Sequence, residues 1–370
     1  MKRIFLFSFF AIFGATWVYA QLTATQQLNK AEDDYEAGIL IGIPDQINGR
    51  MEEFSKAEKV RAKKLLTLVY IFSDEEKKAE EALVDLLREE PEYQLDPKVD
   101  PAELFFLYSQ FRTAPIFKVS FRAGANMSNP TILGEYGTYD LDEGALFVNG
   151  KTKSGLDSKE YNGLFESGSM SPTGGIQAGW WTEVMAEKHV GKGVELGGGL
   201  QVRNSKYFAE QFSTSSQKVE WTNKQLMFRV PIQVKYTYNY MNRNKSILPY
   251  ALLGLSYDYL MSATVDASSD IGIGATVTGM DIKGIDDRQV NVHNMSYYVG
   301  LGAKYRVKTH FLNVELRYDM SPFNYINGDN RNNNQTSTFE LGYVEPDLRM
   351  NVLSLSLGFT YSVHNPVKLK

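Results

Sequence analysis

Apolar positions change their spacing once along this 370-residue chain, near residue 115. Beyond Phe117 they alternate with polar ones. In the last such stretch Leu353, Leu355, Leu357, Phe359 and Tyr361 share one parity, and Ser354, Ser356, Gly358, Thr360 and Ser362 share the other. That is the period-two signature of a strand with one apolar face. Leu226, Phe228, Val230, Ile232, Val234, Tyr236 and Tyr238 repeat it against Arg229, Gln233, Lys235 and Thr237. The same test predicts strands over residues 117–125, 175–184, 193–203, 225–240, 248–261, 295–306, 311–320 and 350–362.

The connections between these segments alternate long and short. Long ones cover 126–173, 204–224, 262–294 and 321–349; short ones lie around 187–192, 241–247 and 307–310. An even antiparallel set with this parity is the pattern of a transmembrane barrel of about eight strands, short turns facing the periplasm and long loops outside. Both barrel ends are then expected on the periplasmic side. Phe117, Tyr236, Tyr238, Tyr305 and Tyr361 fall at one set of strand ends and Tyr257, Tyr259 and Tyr318 at the other, as two aromatic girdles require. Pro231 is discordant: it lacks a ladder donor, and a bulge or break is expected there.

The inward parity collects Lys118, Arg122, Glu183, Glu195, Arg203, Arg229, Lys235, Asp258, Lys304, Arg306, Glu315, Arg317 and Asp319. An eight-stranded barrel is only wide enough for its interior side chains to fill, and isolated buried charges are costly. A closed network of paired charges is therefore expected. The alternative is a solute path lined by the cationic excess.

Residues 23–111 follow a helical period and are rich in Ala, Glu, Lys and Leu. Ser55-Lys56-Ala57-Glu58 and Ser73-Asp74-Glu75-Glu76 each read as a capping box that starts a helix, and Asp100-Pro101-Ala102-Glu103 starts a further one. Ala62, Leu65, Leu66, Val69 and Tyr70 line one helix face; Ala79, Leu83, Leu86 and Leu87 line the next. Leu66, Tyr70, Ala79 and Pro91 fall at offsets that resemble a tetratricopeptide repeat, with residues 31–38 and 44–54 similar to a degenerate copy. The resemblance implies a helical hairpin domain for protein or peptide docking, with Leu66, Tyr70, Ala79 and Leu83 on the docking helices. The other reading is a plug, spacer or folding cap without a ligand.

The first twenty residues have a basic start at Lys2 and Arg3, an apolar run over 4–15, and the small-x-small pattern Val18-Tyr19-Ala20. A signal peptide over 1–20 is expected, cleaved between Ala20 and Gln21. The expected domains are then a periplasmic helical domain over 21–113, an outer-membrane barrel over 114–363 and a periplasmic tail over 364–370. Cysteine is absent, which excludes disulfides and a lipid-bearing Cys at the cleavage point. The chain has 22 Tyr and 21 Phe, as aromatic girdles need, and a net charge of −5 that points to no nucleic-acid partner.

Chemistry is sparse. His189 and His310 fall at expected turns, His364 in the tail and His293 near the outer rim, with no converging nucleophile and carboxylate, so no enzyme is expected. Tyr139-Asp140-Leu141-Asp142-Glu143-Gly144 and Asp329 lack the spacing of a calcium loop, so neither metal nor cofactor is expected. The run 327–334, mostly Asn, reads as a solvated, mobile tip.

Taken together, the strand pattern is similar to the small OmpA/OmpX-type barrel. A Gln start after cleavage and the junction Phe111-Arg112-Thr113-Ala114-Pro115-Ile116-Phe117 resemble outer-membrane barrels of Bacteroidota that carry a tetratricopeptide-like segment. The resemblance implies an α+β multidomain chain in contact with outer-membrane lipid. It further implies a non-enzymatic accessory role beside a secretion or protein-assembly machine, with periplasmic or outer-membrane protein partners. A small-solute channel and a surface binder acting through its outer loops are the other expectations.

Overall fold

The computed structural model describes residues 22–136, 146–149, 177–214, 217–238, 245–270, 274–283 and 288–369. The expected signal segment with Ala20 and Gln21, and the acidic run 139–144, lie outside the described residues. The chain divides into two compact units, one made of the helices up to residue 114 with the tail from His364, the other of residues 115–363.

Among its described residues the helical unit has five α-helices: α1 Ala24–Glu36, α2 Ile43–Asn48, α3 Lys56–Phe72, α4 Glu76–Glu89 and α5 Ala102–Ser109. The Ser55 capping box forms as its sequence requires: the Ser55 hydroxyl accepts from the Glu58 N–H, and the Glu58 carboxylate accepts from the Ser55 N–H. The Ser73 box does not. Ser73 closes α3, Asp74 turns into the left-handed region at φ 61°, and the Glu75 N–H reaches back to the Tyr70 carbonyl at 2.9 Å. This is a Schellman turn, so the same residues that read as a helix start serve the end of the preceding helix. Helix α4 begins without a side-chain cap. Two apolar clusters hold the unit, one around Leu28, Ile43, Ala62 and Leu66, the other around Ala79, Leu83, Leu86 and Leu107. The tail from His364 pairs within this unit. Arg112 donates its N–H to Val367, Leu369 donates to Gln110, and Lys368 pairs with Glu80.

In the second unit eight strands form a closed antiparallel ring: β1 Phe117–Ser128, β2 Ala178–Gly191, β3 Val194–Thr214, β4 Gln217–Thr237, β5 Ile247–Ser269, β6 His293–Val307, β7 His310–Met320 and β8 Val352–Val363. Each strand pairs with its neighbours in sequence, and β1 closes on β8 from Phe117 opposite Val363 to Ser128 opposite Val352. The chain therefore enters and leaves the ring at one rim. That rim also carries the tight turns, where Lys192 and Gly193 both take positive φ, the pattern of a type I′ hairpin that matches strand twist.

The expected eight strands are all present, but most run longer than alternation of a lipid-facing face suggested, β3, β4 and β5 by the most. Strands β3, β4 and β5 have 21, 21 and 23 residues, where about 9–11 suffice to cross a bilayer. Residues 204–214 and 262–269, expected in loops, belong to these strands. Pro231 neither bulges nor breaks β4: it stays opposite Ser256 of β5, and only the ladder to β3 skips, from Ile232–Gly198 to Arg229–Gln201. The bulge lies further out, where Leu226 faces Ser262 and Met227 faces Leu260, leaving Met261 as the extra residue.

That bulge marks a reversal of polarity. Below it the inward positions of β4 are Arg229, Gln233 and Lys235, all buried, and the outward Ile232 and Tyr236 are 56% and 51% exposed. Above it Val219 and Trp221 point inward, fully buried, with Glu220, Thr222 and Lys224 outward. An apolar outside around a polar inside suits a hydrocarbon surround, and the reverse suits water. The outer halves of the long strands therefore stand in water. They enclose a second core with Ile282, Val290, Tyr325, Leu341, Tyr343 and Leu348 from the outer connections. The expected solvated tip at 327–334 joins this cap: Arg331 and Asn334 are buried, and the Asn327 N–H bonds to Gln289.

Candidate functional site

Period-two geometry aims the interior charges at one another across the ring. Arg122 donates to Glu315 at 2.8 Å and to Glu187 at 3.1 Å, and its Nε lies 3.2 Å from Glu183. Arg317 bridges Glu183 at 3.0 Å and Glu315 at 2.7 Å, its guanidinium stacked between the rings of Trp181 and Tyr298. Nearer the tight turns, Lys118 and Lys304 share Glu195, and Lys235 meets Glu187. Toward the cap, Arg229 bonds Asp258 and Asp319 at 2.7 Å each, and Arg203 lies 3.4 Å from Asp319.

Twelve of the thirteen expected interior residues enter these clusters; the thirteenth, Arg306, lies half-buried at the rim with its guanidinium over Phe311. Glu187 was missed because β2 was expected to end at Val184. The signal was present in the spacing Glu183, Met185, Glu187, which is one face of a longer strand. Tyrosines fill the remaining interior: Tyr250 lies over Gly302 and Tyr298 over Gly254, in direct cross-strand pairs where any Cβ would meet the ring. Paired ions and rings thus occupy the ring's interior, and charge-assisted bonds of this kind hold side chains in single geometries.

The cap holds one further carboxylate. Glu345 is fully buried, and it accepts from Trp221 Nε1 at 2.7 Å, from the Tyr207 hydroxyl at 3.2 Å and from the Tyr343 hydroxyl at 3.4 Å. Burial pushes its carboxyl up to about 7, against these bonds, which favour the ionised form. Alternation alone could not find it, because Glu345 sits in an irregular connection.

In the helical unit Leu66, Ala79 and Leu83 are buried between helices and Tyr70 is half-buried, so these expected docking residues build the core. The open face lies beside them. Ile71, Ala79, Ala102, Phe106 and Leu107 line a groove of about 460 Å³ between the α3–α4 turn and α5, with Asp74, Glu76 and Glu103 on its rim. Phe106 is 71% exposed. A groove of this kind fits an apolar anchor next to positive charge.

The four histidines do not converge. His293 stacks near Tyr257 and Tyr259 at the outer rim, and His310 stacks on Tyr361 at the opposite one. Among the described residues no three His, Asp or Glu side chains gather as metal ligands.

No protein-family model matches the chain, and no characterised protein matches it in sequence. Among solved structures, similarity is found to the outer membrane protein OprG from Pseudomonas aeruginosa, with 12% identity over 68% of this chain and 98% of that one and a TM-score of 0.37. The neisserial surface protein A gives 12% identity over 66% and 96%, with a TM-score of 0.29. The attachment invasion locus protein Ail of Yersinia pestis gives 8% over 66% and 98%, with a TM-score of 0.23. The assignment of an eight-stranded barrel stands on this chain's own strand pairing and side-chain polarity.

Proposed function

We propose that the chain is a non-enzymatic outer-membrane barrel that holds a periplasmic docking domain, as an accessory subunit of a larger membrane assembly. The observation that carries this reading is the acidic-rimmed groove at Phe106, an apolar recess that the helical unit leaves open. Short turns on the rim where β1 begins and β8 ends support a periplasmic helical unit, since bacterial barrels keep their short turns on that side. The occupant that fits is a partner segment with an apolar anchor flanked by Lys or Arg. A photo-crosslinking residue at position 106 in the full-length protein tests this in native membranes. The expected result is a discrete adduct that Glu103→Lys with Asp74→Lys abolishes while the barrel still inserts. Adducts unchanged by the charge reversal would overturn it.

The paired interior argues against the channel reading by the same physics, because ion passage would require breaking several buried pairs at once. Planar-bilayer recordings of the intact protein are expected to show no steady conductance; large stable openings would favour the channel.

A further inference from the structure

The polarity reversal places an unusual set of side chains at the outer water–lipid level. At the bulge, Tyr257, Tyr259 and Met261 are the last lipid-facing residues of β5 and are all exposed. Directly beside them Lys283, Arg288 and His293 line a recess of about 540 Å³ with Tyr259, Thr264 and Asp281. Lys283 is fastened there: its Nζ donates to the Met261 carbonyl at 2.8 Å and lies 5.3 Å over the Tyr259 ring. His293 Nδ1 pairs with the Tyr257 hydroxyl. The carboxylate of Asp281 is engaged by the Lys283 N–H at 2.9 Å. Arg288 has no ion-pair partner among the described residues.

The cationic level continues along the wall. Lys206 of β3 and Lys224 of β4 are direct cross-strand partners on the outward face, and Lys224 in turn faces Thr264 of the recess. Like charges opposite one another in a sheet are destabilising. Lys224 has Asp266 as partner, whereas Lys206 has none among the described residues. Four cations therefore stand in one outward band just above the lipid-facing aromatics. An anion at that height would relieve their repulsion, and aromatic rings below them suit the glycerol and upper acyl region.

We infer that this band, centred on Lys283, Arg288 and His293, binds the phosphate-bearing headgroup of an anionic lipid in the leaflet at the cap end. The inference rests on the bilayer reading of the barrel. A lipid phosphate fits better than free phosphate because the recess opens onto Tyr259 and Met261, which offer acyl chains a surface that a small ion cannot use.

The full-length protein is reconstituted in phosphatidylcholine nanodiscs doped with phosphatidylglycerol, and the lipids retained on release are counted by native mass spectrometry. Expected is a several-fold enrichment of phosphatidylglycerol that Lys283→Gln with Arg288→Gln removes and that Lys308→Gln, in the tight turn at the other rim, leaves intact. Millimolar inorganic phosphate is expected not to displace it. An inserted protein without enrichment, enrichment that survives the double substitution, or displacement by inorganic phosphate would overturn the proposal alone. A chain that does not insert would overturn the bilayer reading with it.

Discussion

The indole N–H of Trp221 donates to Glu345 Oε1 at 2.7 Å, and this bond ties the outer half of β4 to the connection that returns from β7 to β8. Because burial raises the Glu345 carboxyl to about 7, the folded cap holds this proton more tightly than the unfolded chain does. The stabilisation is complete below the ordinary carboxylate value, declines as pH rises toward 7, and is level above it. A shift of this size corresponds to about 3 kcal/mol. Proteolysis of the 321–351 connection is expected to accelerate from pH 5 to pH 8 relative to Glu345→Gln, which has no proton to lose. Parallel pH profiles for the two proteins would show that another group governs the cap.

Arg122 touches Glu183, Glu187 and Glu315, so its removal takes one of two paired cations from each of three buried carboxylates, leaving Arg317 on Glu183 and Glu315 and Lys235 on Glu187. Arg122→Met is expected to destabilise the barrel by about 3–5 kcal/mol, as breaking a buried pair generally does. Urea unfolding of this variant and of the unsubstituted protein in the same micelle tests the expectation; equal midpoints would mean that the Arg122 pairs carry no stability.

A Cβ at Gly302 would lie 2.4 Å from Tyr250 Cζ and 2.6 Å from the Val314 carbonyl. Gly302→Ala is expected to cost about 1–3 kcal/mol through overpacking. Tyr250→Leu in the same chain should recover part of that loss, leaving the carbonyl contact. A double-mutant cycle by thermal unfolding reads the coupling, and strict additivity would place the ring elsewhere.

The two serine motifs of the helical unit make opposite predictions. Ser55→Ala removes an observed cap and should weaken α3 by about 1 kcal/mol. Ser73 makes no cap bond to α4, so Ser73→Ala should stay within about 0.5 kcal/mol. Hydrogen exchange of the first-turn amides of α3 and α4 in the full chain separates the cases; equal loss of protection would restore Ser73 as a cap.

Strand number, parity and the inward charges were legible in the sequence because a pleated backbone sends alternate side chains to opposite faces wherever it lies. Leu353 to Tyr361 needs no tertiary information to show a lipid face, and the Ser55–Glu58 spacing needs only one helical turn. What failed was whatever depends on a change of surroundings along a continuous strand. Val219 and Trp221 face inward between outward Lys218, Glu220 and Thr222, the reverse of Arg229 to Tyr236, and the polar run Thr222 to Gln225 breaks the alternation between the two stretches, so one polarity alone predicts a strand that stops near the bulge. Ser73 failed for a related reason: its local bonds are the same in a helix start and in a Schellman turn until Tyr70 and Glu75 meet. Position in the alternation decided which charges face inward; only closure of the ring decided that Arg122, already beside Glu183 and Glu187 of β2, also meets Glu315 of β7. The burial of Glu345 and the recess at Phe106 are likewise products of packing, since each is made by segments whose local patterns carry no sign of the other.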